Sequence, residues 1–150
     1  MQINHRPATL EDCARLAELN HQLIHDEGHR NSMTVPELEA RLADWLSSGY
    51  SAVIFEVKKE MAAYALYREQ PHEIYLRQLF VVRSHRRQGI GREAFQILRA
   101  KIWPADRRLT LEVLAHNAPA LAFWRSLGCQ DYSLKLEILP PKELNRARHQ

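Results

Sequence analysis

The densest positive charge in the chain lies in residues 83–92, which read Arg-Ser-His-Arg-Arg-Gln-Gly-Ile-Gly-Arg. This segment holds four arginines, one histidine and no acidic residue, although the whole chain has a net charge of only +3. Arginine donates forked, charge-assisted hydrogen bonds to phosphate, and glycine lets the backbone approach a ligand closely. The segment therefore predicts a site for a small polyanion or for a phosphate backbone.

The two glycines of this segment stand where a strand is followed by a helix. β-Branched and apolar residues predict a strand over 73–82, and an apolar stripe predicts a helix from Gly89 to Ile102, before Pro104. A helix N-terminus has N–H groups without intrahelical partners and a dipole that favours negative charge. This context predicts a turn that binds a pyrophosphate. A plain strand-to-helix turn with a solvated basic face is the alternative.

The remaining periodicity predicts the elements that must position this turn. Capping boxes beginning at Thr9 and Thr34 indicate two helices, each ending at a glycine. A strand–helix–strand crossover in the second half requires parallel strands, whereas the first half favours antiparallel ones. We therefore expect one domain over 1–150 with an α/β (α+β mixed) fold, in which helices flank a central mixed β-sheet. Strands are predicted over 2–6, 51–57, 61–68, 73–82, 108–115 and 130–139, helices over 9–28, 34–49, 89–102 and 117–127, and a loosely ordered tail over 140–150.

The strand predicted over 73–82 has an irregular apolar pattern, because its apolar side chains change sides midway. A one-residue β-bulge near Arg77 and Gln78 would bring them all to the same face. A strand that is buried on both faces is the alternative. The side chains are Ile74 and Leu76 before the change, and Leu79 and Val81 after it.

Composition and charge exclude several classes of protein. With 45% apolar and 26% charged residues, the chain has a globular profile rather than a disordered or fibrous one. No apolar run reaches the roughly 20 residues of a membrane span, and neither the start of the chain nor its two cysteines suggests secretion, so we expect a cytoplasmic protein. His21, His25 and His29 repeat every four residues, but Gly28 breaks the helix, so we expect no metal site. The basic segment lacks interleaved aromatic residues, so we expect no nucleic-acid partner.

Two sequence motifs of this chain resemble those of the GNAT superfamily of N-acetyltransferases. The family signature Gln/Arg-x-x-Gly-x-Gly/Ala is matched by Arg86-x-x-Gly89-x-Gly91, and a second block, Asn-x-x-Ala-x-x-x-Tyr before Leu-Gly, is matched from Asn117 to Trp124. The order of predicted elements is similar over nearly the whole chain. The resemblance implies an acyl-CoA N-acyltransferase (GNAT) fold, acetyl-CoA as cosubstrate, and transfer of the acetyl group to a primary amine by direct attack in a ternary complex.

The resemblance also implies where acetyl-CoA binds. In such proteins the backbone amides of the basic loop hold the pyrophosphate, the end of the preceding strand pairs with the pantetheine arm, and a bulge turns an N–H toward the thioester carbonyl. Trp124 stands where the family has a tyrosine, and we expect it to pack against the pantetheine arm. The cofactor-binding residues so implied are Phe80, Val81, Val82, Arg86, Arg87, Gln88, Gly89, Ile90, Gly91, Arg92, Asn117 and Trp124.

The implied reaction requires a base, because an amine with a pKa of about 10.4 must lose a proton before it attacks. Glu112 lies in a Leu-Glu-Val sequence, and some family members use that glutamate as the base, so we expect Glu112 to serve here. A structural carboxylate paired with an arginine is the alternative. Because Trp124 cannot act as an acid at neutral pH, Tyr132 and Tyr75 are candidates for protonating the thiolate, and a solvent proton would also suffice.

Three residues are candidates for contacts with the acceptor. Arg77 lies where many relatives carry an acid, which suggests an acceptor with an anionic or carbonyl group; pairing with Glu73 or Glu112 is the alternative. Asp26 and Glu27 lie next to a loop that would cover the substrate. A catalytically silent acyl-CoA-binding domain is the competing function. An exposed last strand would favour a homodimer.

Overall fold

Five strands form one sheet in the computed structural model, which describes residues 2–142. They are β1 (Asn4–Pro7), β2 (Tyr50–Val57), β3 (Glu60–Glu69), β4 (Glu73–Val81) and β5 (Arg108–Thr110). Their order across the sheet is their order along the chain. The first four pair antiparallel, and β5 pairs parallel with β4. The structure therefore confirms the predicted mixed sheet and its strand–helix–strand crossover.

The α-helices begin and end at the signals that the sequence contains. They are α1 (Cys13–Glu27), α2 (Val35–Ser47), α3 (Ile90–Ile97) and α4 (Ala118–Ser126). At the start of α2 the Glu37 N–H donates to the Thr34 hydroxyl at 3.3 Å, and the Thr34 N–H donates to the Glu37 carboxylate at 2.9 Å. α1 ends at Gly28, whose φ of 74° is left-handed. α3 continues through a π-helical turn, Leu98–Ile102, before Pro104.

Apolar side chains fill both faces of the sheet. α1 and α2 cover one face, where Ile54, Tyr64 and Leu66 are fully buried. α3 and its π-helical turn cover the other face, where Phe55 and Leu98 are fully buried. Because successive residues of a strand point to opposite faces, burial on both sides explains the continuous apolar runs of β2 and β3.

β4 contains the bulge that the apolar pattern predicts. Leu66 of β3 pairs with Gln78, and its neighbour Tyr67 pairs with Leu76, so Arg77 has no partner in the register. The extra residue lets the apolar side chains on both sides of it face α3. These side chains are Ile74, Leu76, Leu79 and Val81.

β4 and β5 separate soon after they meet. Their parallel pairing covers three positions and ends at Tyr75 and Thr110, while β4 continues to Val81. The strand predicted over 108–115 is therefore wrong beyond Thr110. The bulge at Arg77 follows two residues after the last pair, and a bulge bends the strand that carries it. A gap opens between the strands, and the rest of the β4 edge has no strand neighbour on that side among residues 2–142.

The strand predicted over 130–139 is wrong, because these residues pair with no strand in the described part of the chain. Their alternation is typical of a half-buried strand, but the apolar side chains are 75–99% exposed. Alternation shows that a segment has an apolar face without showing what covers it. The exposed residues are Tyr132, Leu134, Leu136 and Ile138. The expected homodimer stays a prediction, and most of the tail predicted over 140–150 lies outside the described residues.

The buried pair of Tyr64 and Gln78 provides a test of this fold. The Tyr64 hydroxyl donates to the Gln78 side-chain carbonyl at 2.8 Å, and burial raises the pKa of Tyr64, so the donor stays protonated. Tyr64→Phe leaves that carbonyl unsatisfied in the core, so the free energy of unfolding should fall by about 1–3 kcal/mol. Chemical denaturation measures the change. Tyr132→Phe, at a tyrosine that is 84% exposed, is the matched control, and an equal loss in both variants would contradict the buried hydrogen bond.

Candidate functional site

Residues 83–92, which we term the basic turn, connect β4 to α3. A short 3-10 helical turn, Arg83–His85, leads away from β4, and Gly89 is the N-cap of α3. Arg87 and Gly89 both have left-handed backbones, with φ values of 64° and 76°. A Cβ atom placed on Gly89 would meet nothing within 4 Å. The basic turn therefore presents its backbone to open space, as a binding site for an anion requires.

The start of α3 supplies N–H groups that have no helical partner. The Glu93 N–H donates to the Gly89 carbonyl at 3.1 Å and so makes the first helical hydrogen bond of α3. Ile90, Gly91 and Arg92 precede Glu93, so their N–H groups belong to the unpaired first turn. These three donors and the helix dipole favour an anion at the same place.

A carboxylate on α1 anchors the basic turn. Asp26 accepts hydrogen bonds from Arg83 Nη2 at 2.7 Å and from Arg86 Nη2 at 2.9 Å. Arg86 Nε also donates to the Val81 carbonyl at 3.0 Å, and the Arg86 guanidinium lies 5.0 Å from the centre of the Phe80 ring. The hydrogen bonds from Arg83 and then Arg86 lower the pKa of Asp26 to about 2. Asp26 is therefore engaged by the turn, and its contact with an acceptor stays a prediction.

The other arginines of the basic turn differ in what they contact. Arg92 donates to the Ser126 hydroxyl at 2.9 Å and ties α3 to the end of α4. The exposed Arg87 side chain has no hydrogen bond or ion pair with any residue in the described part of the chain. Arg87 is therefore the arginine of the turn that is available to a ligand.

Aromatic side chains of α4 pack against α3. A Cβ atom on Gly91 would lie 3.4 Å from the Phe123 ring and 3.5 Å from a Val81 methyl group, so the start of α3 lies in van der Waals contact with α4 and β4. The Trp124 ring lies edge-on to the Phe95 ring at 5.4 Å between centroids, and to the Phe123 ring at 4.9 Å. These contacts explain how Trp124 is held, and its contact with the pantetheine arm stays a prediction.

The loop before α4 is fastened to the end of α1. Asn117 caps α4 by accepting a hydrogen bond from the Ala120 N–H at 3.2 Å. His116 Nε2 lies 3.0 Å from the Glu27 carbonyl oxygen, and the Glu27 carboxylate lies 2.9 Å from His29 Nε2. The predicted contacts of Asn117 with the cofactor and of Glu27 with the acceptor stay predictions.

Glu112 follows the last paired residue of β5 and lies at the gap. The Tyr75 hydroxyl donates to its carboxylate at 2.9 Å. Burial and this hydrogen bond raise the pKa of Tyr75 to about 12, so the hydroxyl remains a donor at neutral pH. Tyr132, by contrast, is 84% exposed, and its ring lies 4.5 Å from the Arg108 guanidinium. The structure therefore brings Tyr75 to Glu112 and does not bring Tyr132 there.

Arg77, the bulge residue, faces α2 instead of an acid. Its guanidinium lies 4.4 Å from the centre of the Trp45 ring. Glu73 is paired with Arg108 at 2.9 Å, and Glu112 accepts from a tyrosine. The ion pairs that the sequence offered as an alternative for Arg77 are therefore not formed. The spacing of Trp45 on its helix gave no sign that it would meet this arginine.

The model of the acetyltransferase (GNAT) family matches residues 17–129, which is more than half of the chain. The chain therefore belongs to the GNAT acetyltransferase family, as its two motifs predict. Within residues 2–142, no helix is long and apolar enough to cross a membrane. The same residues contain no group of three His, Cys, Asp or Glu side chains arranged to hold a metal ion.

Solved structures of acetyltransferases share this fold. A possible acetyltransferase from Clostridium difficile 630 is 18% identical with a TM-score of 0.75, and the match covers 93% of this chain and 100% of that one. A predicted acetyltransferase with acetyl-CoA from Clostridium acetobutylicum is 18% identical with a TM-score of 0.70, covering 92% and 96%. An aminoglycoside acetyltransferase in complex with sisomicin, from an uncultured soil metagenomic sample, is 13% identical with a TM-score of 0.70, covering 92% and 96%. At these identities the likeness concerns the fold alone. No curated protein matches the sequence.

Because of the ion pairs of Asp26, the free energy of unfolding should depend on pH in the acid range. The pKa of Asp26 is about 2 in the folded protein against an ordinary 3.8, so its contribution is complete above about pH 4 and is lost as the pH falls toward 2. Asp26→Asn should lower the free energy of unfolding at neutral pH by about 1 kcal/mol, because its arginine partners are about half exposed. The variant should also lose less stability than the wild type on acidification.

Urea denaturation from neutral pH to about pH 2 measures both effects. Asp44→Asn, at an exposed residue of α2, removes the same charge and should behave as the wild type. Identical pH dependence in Asp26→Asn and the wild type would contradict the anchoring role of Asp26.

Proposed function

We propose that this chain transfers the acetyl group of acetyl-CoA to a primary amine of a small molecule or peptide, by direct attack in a ternary complex. The observation that carries the proposal is the position of the basic turn at the end of β4, where the gap between β4 and β5 lies beside it. A diphosphate held by the basic turn would leave a long, extended cofactor arm free to follow the gap. Glu112 lies along the same gap.

Binding of acetyl-CoA would use three parts of the chain. The N–H groups at the start of α3 and the Arg87 side chain would bind the pyrophosphate. Among residues 2–142 the β4 edge that faces β5 has no strand neighbour beyond Tyr75, so the end of β4 at residues 80–82 would pair with the pantetheine arm. The Val82 N–H donates to the Ala62 carbonyl and the Val81 carbonyl accepts from Arg86 Nε, so the Val81 N–H is the group that would pair with an amide of the arm. The bulge at Arg77 interrupts the ladder of β4, and an N–H released there would donate to the thioester carbonyl and stabilise the charge that develops on it.

Glu112 is the proposed base. Its carboxylate would take a proton from the ammonium group of the acceptor, directly or through a water molecule. The neutral nitrogen then attacks the thioester carbonyl carbon, the C–S bond breaks, and CoA leaves as a thiolate. The second proton, which the nitrogen loses as it becomes an amide, passes through solvent to that thiolate. Tyr75 donates to Glu112 and is a positioning residue, because its raised pKa makes it a poor acid. Tyr132 has no step in this proposal, because it is exposed beside Arg108.

One observation favours a second candidate function, a catalytically silent acyl-CoA-binding domain. Trp124 stands where the family motif has a tyrosine, and its ring is packed against Phe95 instead of supplying an acid. Such a domain would bind acetyl-CoA through the same basic turn. A thiol-release assay with a panel of amines, beside calorimetric titration of acetyl-CoA, separates the two. Binding with amine-dependent thiol release supports the transferase, and binding without release supports the silent domain.

Charge reversal at Arg87 tests the cofactor site. Arg87→Glu removes the available guanidinium and places a carboxylate beside the expected phosphates. Acetyl-CoA affinity should fall by about 10- to 100-fold, since charge-assisted hydrogen bonds contribute about 1.5–3 kcal/mol. Calorimetric titration measures it. Arg99→Glu, in the π-helical turn that ends α3, makes the same change in net charge and should change the affinity less than about threefold. Equal losses would refute a local phosphate site.

Removal of the base tests the chemical step. Glu112→Gln keeps the shape of the side chain but cannot take a proton from the amine, so kcat/KM should fall by about 100- to 10,000-fold. The acid limb of the pH–rate profile should disappear, while acetyl-CoA affinity stays at the wild-type value. Glu11→Gln, at an exposed residue before α1, is the control and should leave the profile unchanged. Wild-type turnover and pH dependence in Glu112→Gln would exclude it as the base.

A further inference from the structure

Two arginines on the α2 side of the sheet share one tryptophan. The Arg41 guanidinium lies 4.3 Å from the centre of the Trp45 ring, and the Arg77 guanidinium lies 4.4 Å from a Trp45 ring centre. Arg77 Nη1 also donates to the Tyr50 hydroxyl at 3.4 Å. We term Arg41, Trp45, Tyr50 and Arg77 the arginine–tryptophan cluster.

Neither guanidinium of the cluster has an acidic partner among residues 2–142. Arg41 Nη2 donates to the Asn20 side-chain carbonyl at 3.2 Å, and Arg41 Nε is buried without an acceptor. Burial, with the charge of Arg77 added to it, lowers the pKa of Arg41. Arg83 and Arg108, by contrast, each pair with a carboxylate. Two neighbouring like charges cost free energy, part of which a bound anion would recover.

The cluster lies on the same face of the sheet as the proposed base. Tyr75 pairs in register with Arg68, and Arg68 pairs with Tyr50, so these side chains share a face. Tyr75 contacts Glu112, and Arg77 follows Tyr75 by two residues on β4. Two residues of a strand span roughly 7 Å. The backbone positions of Arg77 and of Tyr75, which holds Glu112, are therefore separated by a length comparable with that of a small acceptor.

We propose that the acceptor carries a carboxylate as well as its reactive amine, and that Arg41 and Arg77 bind the carboxylate while the amine lies at Glu112. The inference rests on the proposed transferase function and narrows its acceptor to amino carboxylates. A carboxylate accepts bidentate hydrogen bonds from guanidinium groups, and its negative charge would offset the repulsion between the two arginines. A polyamine would instead bring a second cation to the two arginines and is disfavoured.

Matched acceptors test this inference in a thiol-release assay on the full chain with acetyl-CoA. Each pair differs only in the group at the far end: glycine and glycinamide, beta-alanine and beta-alaninamide, gamma-aminobutyrate and its amide. Putrescine supplies a second cation. At the best chain length, kcat/KM should be about 10-fold or more higher for the carboxylate than for the amide, mainly through KM. Equal values within every pair, or a preference for putrescine, would overturn the inference.

The two acceptors of a pair also differ in the intrinsic reactivity of their amines. Comparing their kcat/KM ratio between a variant of the cluster and the wild type cancels this difference. Arg77→Gln should lower the carboxylate-to-amide ratio of kcat/KM by about 10-fold, and Arg77→Lys should restore part of it. Arg99→Gln changes the net charge equally outside the cluster and should keep the wild-type ratio. Arg41→Gln should act as Arg77→Gln does, with thermal unfolding as its folding check, because Arg41 is partly buried. If Arg77→Gln lowers both members of each pair equally, the cluster does not recognise the carboxylate.

Failure of this inference is distinguishable from failure of the proposed function. If amides and putrescine are acetylated as well as the carboxylates, the transferase function stands and the carboxylate site is refuted. If no amine promotes thiol release, the transferase function fails, and calorimetric titration of the same amino carboxylates in the presence of CoA decides the site. Binding that Arg77→Gln weakens supports a carboxylate site, and no binding refutes it.

Discussion

The candidate site depends on the point at which β4 loses its neighbour β5. Parallel pairing ends at Tyr75 and Thr110, and the bulge at Arg77 follows two residues later. A fully paired edge would offer a ligand no backbone groups, because each N–H and C=O would already have a partner. The separated edge offers such groups over the rest of β4, except at the Val81 carbonyl, which accepts from Arg86 Nε. The same strand then leads directly into the basic turn, so the places for a cofactor arm and for its phosphates are continuous in the chain.

The four arginines of the basic turn repel one another, so an ordered turn requires electrostatic compensation. Asp26 supplies it by pairing with Arg83 and Arg86, which fixes two guanidiniums that would otherwise repel each other and loosen the turn. The next residue of α1, Glu27, meets His116 through its backbone carbonyl. The end of α1 therefore fastens both walls of the gap, the basic turn on one side and the loop before α4 on the other. Both contacts follow from the position at which α1 ends.

Local signals are sufficient for most of the fold. The capping box that begins at Thr34 is contained in four consecutive residues. The bulge of β4 shows in the strand's own sequence, because its apolar residues change sides there. Neither feature requires knowing which element packs against it. The strand predicted over 130–139 failed for the opposite reason. Its alternation of apolar and polar residues, which includes the exposed Leu134, arises whether or not a neighbouring strand is present.

Contacts of the site were less predictable because they join distant residues. Tyr75 and Glu112 are 37 positions apart, and Arg86 and Asp26 are 60 positions apart. The family resemblance suggested a role for Arg77, and the position of Asp26 beside a loop suggested one for Asp26. Only the packing of α1 and α2 on the sheet decides that Asp26 meets the basic turn and that Arg77 meets Trp45.

The bulge of β4 also connects the proposed cofactor side of the site with its proposed acceptor side. Gln78 fixes it from within the core by accepting the Tyr64 hydrogen bond, while the extra residue, Arg77, turns to Trp45 on α2. One backbone irregularity thus releases the edge on which a thioester would bind and presents the side chain that would hold the acceptor.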